Sequence, residues 1–568
     1  MNKKRLFVID WLLLLIITIP TFTSLLNNQY FTIHDSQHVV RLYLLDQGIR
    51  QGYLYPRWVD WLSFGFGDPL FNFYPPLVYY LGEIFHLLGF SLIWSVKLVF
   101  ILGFLLAAAS MFLLAKEYLG RLAAFLSATV YSYFFYHAIN AYVRGALSEF
   151  FAMSLVPLVF LFFHRLSKKT NLKNSIMLAV ALDLVFLAHQ LVALPMIFFL
   201  LFYFIYYFLS VKKDQFRFFK FLALGSLLSL GLSAFYWLPM FVERSYTFID
   251  QELGSYKLHY INPYQFWYSP WGFGGSVAGL GDGMTFQLGK IPILLFGISL
   301  AGFFIYLFKT KNKKETTNFI FFNFLLFFSL FMTTNYSSFF WDRIKLLWNL
   351  QFPWRFSVFT GIFISLVGAY WLFFIDKIFK NKLSFFIPTA LVTFVICVTI
   401  FKYQQYFRPQ TLISVSDKDL TTTDEITWKQ SKTVLHFVPK GIKAKKTKSG
   451  VYILDIEKKD LPKQIYQLNK GNAKVEILEN KFMNKTFKVD VKSLAEFQLN
   501  TFHFLGWQAY LDHKKIRIND KNKYKLITVL LPKGKHELKF VFEDTLSRLI
   551  GNILSLFSVL ILIVLKRK

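Results

Sequence analysis

Residues 33–41 read Ile33-His34-Asp35-Ser36-Gln37-His38-Val39-Val40-Arg41, directly after an apolar run from Leu6 to Leu26. An acid, two imidazoles and a guanidinium at the edge of a membrane segment are costly there and mark a site. An aspartate with an ordinary pKa of about 3.9 is ionised at neutral pH and can act as general base on a hydroxyl. His34 and His38 would tune Asp35, and Arg41 would orient a substrate. If this stretch is helical, Asp35 and His38 share a face, as do His38 and Arg41. Two other readings fit the same residues. Asp35 suits capping of a helix that begins near Ser36. His34 and His38, four apart with Asp35 between them, have a feasible metal-ligand spacing, although no third ligand is evident nearby.

Further candidates lie downstream. Arg57, in Tyr55-Pro56-Arg57-Trp58, has the forked donors that suit a lipid phosphate; as a snorkelling interface anchor it would need no ligand. Tyr142-Val143-Arg144-Gly145-Ala146-Leu147-Ser148-Glu149-Phe150 sets Arg144 near Glu149 between two apolar runs. The two form an internal pair, or Arg144 binds phosphate while Glu149 orients it. His189 falls at the same depth, and Arg355, in Phe352-Pro353-Trp354-Arg355, offers another cation at the head of a late run. Asp282 and Gln287 are loop residues able to meet a polar substrate.

The elements that must hold these groups are membrane helices. The chain has 568 residues, 55% hydrophobic, 20% aromatic and 17% charged, with a mean hydropathy of +0.43. Soluble domains carry about a quarter charged residues, and here apolar runs of about 20 residues recur. They fall near 6–26, 92–115, 121–138, 147–165, 174–190, 192–210, 218–242, 291–309, 318–334, 356–375, 383–402 and 546–565, which makes about twelve spans. The first run is too long for a signal h-region and lacks a small-residue cleavage site. Much of the net charge of +30 sits in short loops such as Lys212-Lys213 and Lys309 to Lys314. A positive-inside bias explains this, puts both termini in the cytoplasm and requires no nucleic acid. The single cysteine, Cys397, excludes an intrachain disulfide and a Cys-x-x-Cys zinc site.

The expected architecture is mainly α: a transmembrane bundle over 1–402 with a long first outer loop at 27–91, an extracytoplasmic β-sandwich-like domain at 403–545, and a last helix and basic tail at 546–568. Period-two alternation marks strands at Thr433–Val438, Gly450–Ile456, Phe487–Val491, Ile516–Ile518 and His536–Phe542. Lysine excess in this domain suits an anionic envelope polymer or anionic headgroups, or simple solubility. No phosphate-binding loop, dinucleotide fingerprint or nucleophile elbow is present in a credible context, so any donor would reach the outer side by another route, such as a lipid carrier.

The run His34-Asp35, His38, Arg41, then Tyr55-Pro56-Arg57-Trp58, Gly65, Gly67, Pro69-Leu70-Phe71 and Phe73-Tyr74-Pro75-Pro76 resembles bacterial membrane proteins labelled pyruvoyl-tetrahydropterin synthase-related. Arg144-Gly145-Ala146 with Glu149-Phe150, Trp271-Gly272-Phe273-Gly274 through Gln287-Leu288-Gly289, and Phe352-Pro353-Trp354-Arg355 fit the same pattern. Gly506-Trp507-Gln508-Ala509-Tyr510-Leu511-Asp512 and Leu531-Pro532-Lys533-Gly534-Lys535-His536 resemble the outer domain of YfhO-type proteins. Both groups belong with the GT-C glycosyltransferases. The resemblance implies a multispan fold in a bacterial cell membrane, a polyprenyl-phosphate-linked sugar as donor, and an acceptor that is an anionic envelope polymer such as teichoic acid or a glycolipid. It also implies a catalytic acid in the first outer loop, where Asp35 stands, and a second acid for which Asp60 and Asp68 are candidates. No cofactor is called for, and a lipid monophosphate donor does not require a metal. A transporter or flippase of lipid-linked sugars, favoured by Asp183 within a span, and a non-catalytic envelope scaffold are the alternatives.

Overall fold

The computed structural model describes residues 3–210, 214–249, 255–310, 316–379, 386–432, 437–446 and 452–567. Among the described residues, seven helices are long and apolar enough to cross a membrane: Leu92–Leu119, Leu147–Lys168, Gln190–Leu209, Lys290–Lys309, Pro353–Phe379, Phe386–Tyr406 and Leu546–Leu565. Three bent pairs raise the count to ten if each is one crossing: Arg121–Ser132 with Phe135–Val143, Gln215–Leu232 with Ala234–Tyr246, and Thr317–Thr333 with Asn335–Arg343. The other two expected spans are shorter helices, Lys3–Thr18 with 16 residues and Leu172–Ala188 with 17. The protein is therefore mainly helical, with a C-terminal β-sheet region and a final apolar helix.

The chain forms two compact units, and neither follows sequence order. The first comprises residues 1–36, 96–230 and 254–414; the second comprises 37–95, 231–253 and 415–568. The segment from Gln37 to Ser95, most of it expected as the first outer loop, thus belongs to the same unit as the β-sheet and the last helix, rather than to the bundle expected over 1–402.

In the first unit, the helices Leu147–Lys168 and Ser357–Phe379 are buried on nearly every face. Helices that are apolar all round and enclosed by others are core helices. One core layer joins Leu126 and Val130 to Leu295, Ala369, Trp371 and Val392. Polar backbone exchange supplements it: Trp371 donates its backbone N–H to Ser299 Oγ at 3.0 Å. The helix Phe386–Tyr403 has Val392, Thr399 and Tyr403 as its buried residues, while Phe386, Ile387, Leu391, Phe394 and Phe401 are exposed, as lipid-facing residues must be.

The second unit carries one six-stranded antiparallel sheet. The 19-residue strand Asn484–Phe502 pairs with Tyr466–Lys481; it also pairs with Gly534–Phe542 through its first half and with Leu526–Leu531 through its second. Strand Trp507–Leu511 pairs with Gly534–Phe542 and with Lys514–Ile516. Phe487, Val489, Val491, Phe497 and Leu499 fill its buried face, with Leu538, Phe540, Ile527 and Val529 beside them. On the opposite face Lys474 and Lys535 flank Asp490, and Glu476 and Glu537 flank Lys488. Opposite charges directly across strands are mutually stabilising, so the lysines of these rows are matched by acids. The strands expected at 487–491 and 536–542 are present, as is Tyr452–Leu454 within the third; of the run 516–518 only Ile516 is in a strand. Thr433–His436 and Gly450–Val451 lie outside the described residues.

The last helix, Leu546–Arg567, crosses Ala234–Glu243 very closely. A Cβ on Gly551 would stand 2.5 Å from the Ala234 carbonyl oxygen, and Ser555 Oγ accepts the Phe235 N–H at 2.8 Å and donates to the Gly231 carbonyl at 3.0 Å. Small residues let helix backbones approach and pack in lipid. At the head of this helix Arg548, fully buried, donates to Glu243 Oε2 at 2.7 Å.

Candidate functional site

Segment 30–35 of the first unit is pinned by backbone pairing on two sides. Tyr30 and Phe31 pair antiparallel with Ile413 and Leu412. The N–H groups of His34 and Asp35 donate to the carbonyls of Val143 and Arg144 at 3.1 and 2.8 Å. Gly145 permits this approach: its φ is +65°, and a Cβ there would lie 2.4 Å from Ile33 Cδ1. Only glycine meets both demands without strain. The Asp35 carboxylate is exposed and accepts no hydrogen bond among the described residues. His34 Nε2 lies 2.9 Å from the Phe273 carbonyl oxygen. A carbonyl only accepts, so Nε2 carries the proton. Phe273 is presented by a loop whose strands meet through glycines, with Gly274 N–H on the Gly283 oxygen at 2.8 Å and the return bond from Gly283 to Gly275 at 2.9 Å. Asp282 closes this loop by accepting from Gln265 at 2.7 Å and from the Val277 N–H at 2.9 Å.

Arg144 follows a single π-turn, Ile139–Val143, whose wider spacing puts the Arg144 N–H on the Ile139 carbonyl at 2.8 Å. Such turns recur at functional sites because they re-aim one side chain. Here the guanidinium meets Glu149, which lies in the first turn of the helix Leu147–Lys168. Arg144 and Arg355 both donate to Glu149 Oε2, at 3.0 and 3.1 Å, and Tyr136 OH donates to Oε1. Arg144 also donates to Asn140 Oδ1 and lies over the Trp354 ring, 4.5 Å from its centroid. Arg355 donates to the Leu350 carbonyl at 2.5 Å from a turn set by Gln351 at φ +62°, a conformation non-glycine residues adopt at functional or tight positions. Phe352 stacks on Trp354 at 4.6 Å. Glu149 is 1% exposed, Arg355 7% and Arg144 9%, so this is a buried ion cluster. His189, between the helices Leu172–Ala188 and Gln190–Ser210, is close enough to interact electrostatically with Glu149 and both arginines. Its Nδ1 and the Trp354 indole N–H are buried and have no hydrogen-bond partner among the described residues.

The first unit thus brings together Arg144, Glu149, Arg355 and His189, and ties His34 to the backbone of Val143 and Asp35 to that of Arg144. Tyr136, Asn140 and Trp354 complete the cluster. Sequence reasoning missed them, because three common residue types in an aromatic-rich chain give no signal of their own; only the π-turn arrangement singles them out.

The remaining candidates lie in the second unit, each with its own partners. The helix there runs from His38 to Arg50, and its N-cap is Gln37, with no side-chain cap bond; Asp35 does not cap it. His38 is fully buried with Nδ1 at 3.1 Å from Tyr79 OH. Arg41 donates to the same hydroxyl at 3.3 Å and to Gln37, and stacks over Tyr74 at 3.9 Å. Arg57 is 4% exposed, with donors on Asn72 at 3.2 Å, the Phe235 carbonyl at 2.8 Å and Asn552 at 3.1 Å. Asn72 in turn donates to Glu243. Asp60 accepts from Lys485 Nζ at 2.6 Å. Asp68 accepts from Ser63 at 2.7 Å, and burial pushes its carboxyl up to about 6 despite that bond and the nearby Arg41. Among the described residues no group of three or more His, Cys, Asp or Glu side chains is arranged to hold a metal ion.

A bundle of apolar helices with a buried ion cluster at a helix head defines an integral, multi-pass membrane protein. The chain belongs to the family of membrane proteins that carry the 6-pyruvoyl-tetrahydropterin synthase related domain, whose model matches residues 71–407. Comparison with curated proteins yields no match. Among solved structures, the chain is similar to the arabinofuranosyltransferase AftD from Mycobacteria, with 13% identity over 72% of this chain and 28% of that one and a TM-score of 0.43. It is also similar to the oligosaccharyltransferase of Archaeoglobus fulgidus, with 14% identity over 76% of this chain and 59% of that one and a TM-score of 0.45. For ArnT from Cupriavidus metallidurans bound to undecaprenyl phosphate, the figures are 10% identity, 72% of this chain, 90% of that one and a TM-score of 0.27. The chain therefore spans less than two thirds of the length of the first two.

Proposed function

We propose that the protein is a membrane glycosyltransferase of the GT-C type. It moves a sugar from a polyprenyl-phosphate carrier to an acceptor hydroxyl of a cell-envelope polymer or glycolipid on the outer face of a bacterial membrane. The observation that carries the reading is Asp35, whose carboxylate is exposed and whose backbone N–H donates to the carbonyl of Arg144, a residue whose side chain belongs to the buried Arg144–Glu149–Arg355 cluster. Asp35 takes the acceptor proton as the acceptor oxygen attacks the anomeric carbon. The bond from that carbon to the phosphate oxygen breaks, and the lipid phosphate leaves with the electron pair. A single displacement of this kind inverts the anomeric centre. Arg144 and Arg355 stabilise the charge that grows on the phosphate, and donors fixed before the reaction are worth most where charge develops. Glu149 positions both guanidinium groups. His34, with its Nε2 proton on Phe273, steadies the segment that carries Asp35.

The test is Asp35→Asn in membranes offered polyprenyl-phosphate-linked hexoses one at a time. A missing general base lowers transfer by roughly 10²–10⁴-fold, with insertion and expression unchanged. Full transfer by a correctly inserted variant overturns the assignment. A transporter would keep moving the lipid-linked sugar across the membrane in this variant, without forming a glycosidic product.

A further inference from the structure

The buried cluster has an unusual charge balance. Two guanidinium groups, Arg144 and Arg355, face one carboxylate, Glu149, so the trio carries one net positive charge rather than two. His189 beside them adds none above its ordinary pKa of about 6.5. Asp35, whose charge acts on Arg144, lies outside this trio and is exposed to solvent, which screens it. Glu149 is held from both sides, with Oε2 taking Arg144 and Arg355 and Oε1 taking Tyr136. It is a fixed part of the site at 1% exposure. The arginines are not exhausted by it. Each guanidinium has five N–H donors, and Arg144 uses them on Asn140 and Glu149 and Arg355 on Glu149, Leu350 and Gln351. The Trp354 indole N–H is a further buried donor with no acceptor among the described residues. A buried cluster with spare donors and a single surplus charge suits a singly charged, oxygen-rich ligand.

We propose that Glu149 makes this site selective for a phosphodiester over a phosphomonoester, and so drives release of the spent carrier. The inference rests on the phosphate role given above to Arg144 and Arg355. A lipid-phosphate-sugar is a diester with one negative charge. Transfer turns it into a monoester, whose second ionisation near pH 6 gives it close to two charges at neutral pH. One surplus positive charge matches the substrate and under-compensates the product. Without the glutamate the cluster would carry two charges and hold the product. Trp354 joins the site as a neutral donor to a phosphate oxygen, adding specificity without charge.

The experiment uses the full-length protein in phosphatidylcholine nanodiscs at pH 8 and two probes without sugar: methyl farnesyl phosphate, a monoanionic diester, and farnesyl phosphate, a dianionic monoester. The readout is the ratio of the two dissociation constants. Glu149→Gln raises the cluster to two charges and shifts the ratio at least tenfold toward the monoester. Arg355→Gln lowers it to zero and weakens both probes. The double variant Glu149→Gln with Arg355→Gln restores one charge and returns the wild-type ratio, and it keeps the test alive if the single glutamate variant does not fold. Equal ratios, within twofold, in wild type and Glu149→Gln overturn the proposal and leave the glycosyltransferase reading intact, as does a double variant whose ratio differs from wild type. Failure of methyl farnesyl phosphate, the diester, to bind the wild type overturns both the proposal and the phosphate role of the arginines. Transfer that survives Asp35→Asn refutes the base and leaves the charge selectivity standing.

Discussion

Replacing Gly145 with alanine tests whether the Asp35 segment is placed by one backbone contact. The residue sits at φ +65°, and a Cβ would lie 2.4, 2.7 and 2.8 Å from Ile33 Cδ1, Cβ and Cγ1. Left-handed backbone costs an L-residue about 1–2 kcal/mol, and forcing a methyl into filled space costs about 1–3 kcal/mol. Together these give a loss of about 2–5 kcal/mol, a large share of a typical total of about 5–15 kcal/mol. Because the Ile33 Cβ itself lies 2.7 Å from the added methyl, turning the side chain alone does not relieve the contact, and the strain should open the two bonds from His34 and Asp35 to the Val143 and Arg144 carbonyls. The assay pairs thermal unfolding of the purified full-length protein with the transfer measurement. Gly145→Ala should lower both, and transfer should fall further than stability alone accounts for. Ile33→Ala removes Cγ1 and Cδ1 but keeps the Cβ at 2.7 Å, so the double variant should recover only part of the loss, with a coupling of at least about 0.5 kcal/mol. Ile33→Gly should recover all but the backbone contribution. A Gly145→Ala protein as stable and active as wild type, or strict additivity with Ile33→Ala, would refute the argument.

Two further predictions concern the second unit. Arg548 and Glu243 are paired at 2.7 Å and both essentially inaccessible; removing one partner of such a pair costs about 3–5 kcal/mol. Arg548→Met should therefore be strongly destabilised in thermal unfolding, while Arg548→Met with Glu243→Gln regains most of the loss; equal loss in both counts against the pair. For Asp68, a carboxyl raised from 3.8 to about 6 means that the native chain holds a proton the unfolded chain gives up. Its ionisation contributes nothing below about pH 4 and destabilises increasingly as pH rises, reaching at most about 3 kcal/mol above pH 6. Asp68→Asn should match wild type at acid pH and exceed it above pH 6, and a stability difference independent of pH would contradict the burial argument.

The sequence announced the membrane class and the β-rich tail plainly, because runs of about 20 apolar residues and period-two alternation are local signals. It also marked Arg144 and Glu149 together, as an internal pair or as a phosphate ligand with its orienting acid, and Arg355 separately. That Arg144 and Arg355 share a single carboxylate oxygen could not be read, since Arg355 lies 206 residues from Glu149 and only helix packing joins them. The helical face proposed for Asp35 and His38 illustrates a different limit. Spacing arguments hold only where the helix exists, and this helix begins at His38. Arg57 was weighed as a phosphate ligand or an interface anchor; its guanidinium lies instead among Asn72, Phe235 and Asn552, partners up to 495 positions away. The difference between twelve expected spans and seven to ten crossing helices has a local cause as well: three apolar stretches break and bend by 44° to 90°.

The discontinuous make-up of the second unit has a consequence for biogenesis. Trp58, fully enclosed, packs edge-on against Trp507 at 5.5 Å, and Arg57 bonds Asn552. At a synthesis rate of about 5–20 residues per second, the first outer loop emerges roughly 25–100 s before its last partners are translated. During that interval Trp58 lacks the rings of Trp507 and Phe542, and Arg57 has Asn72 and Phe235 but not yet Asn552. A chain halted before Trp507 would leave Trp58 without its ring partners, and one halted before Asn552 would leave Arg57 short of one acceptor, so the packing of an early segment is finished only by residues about 450 to 500 positions later.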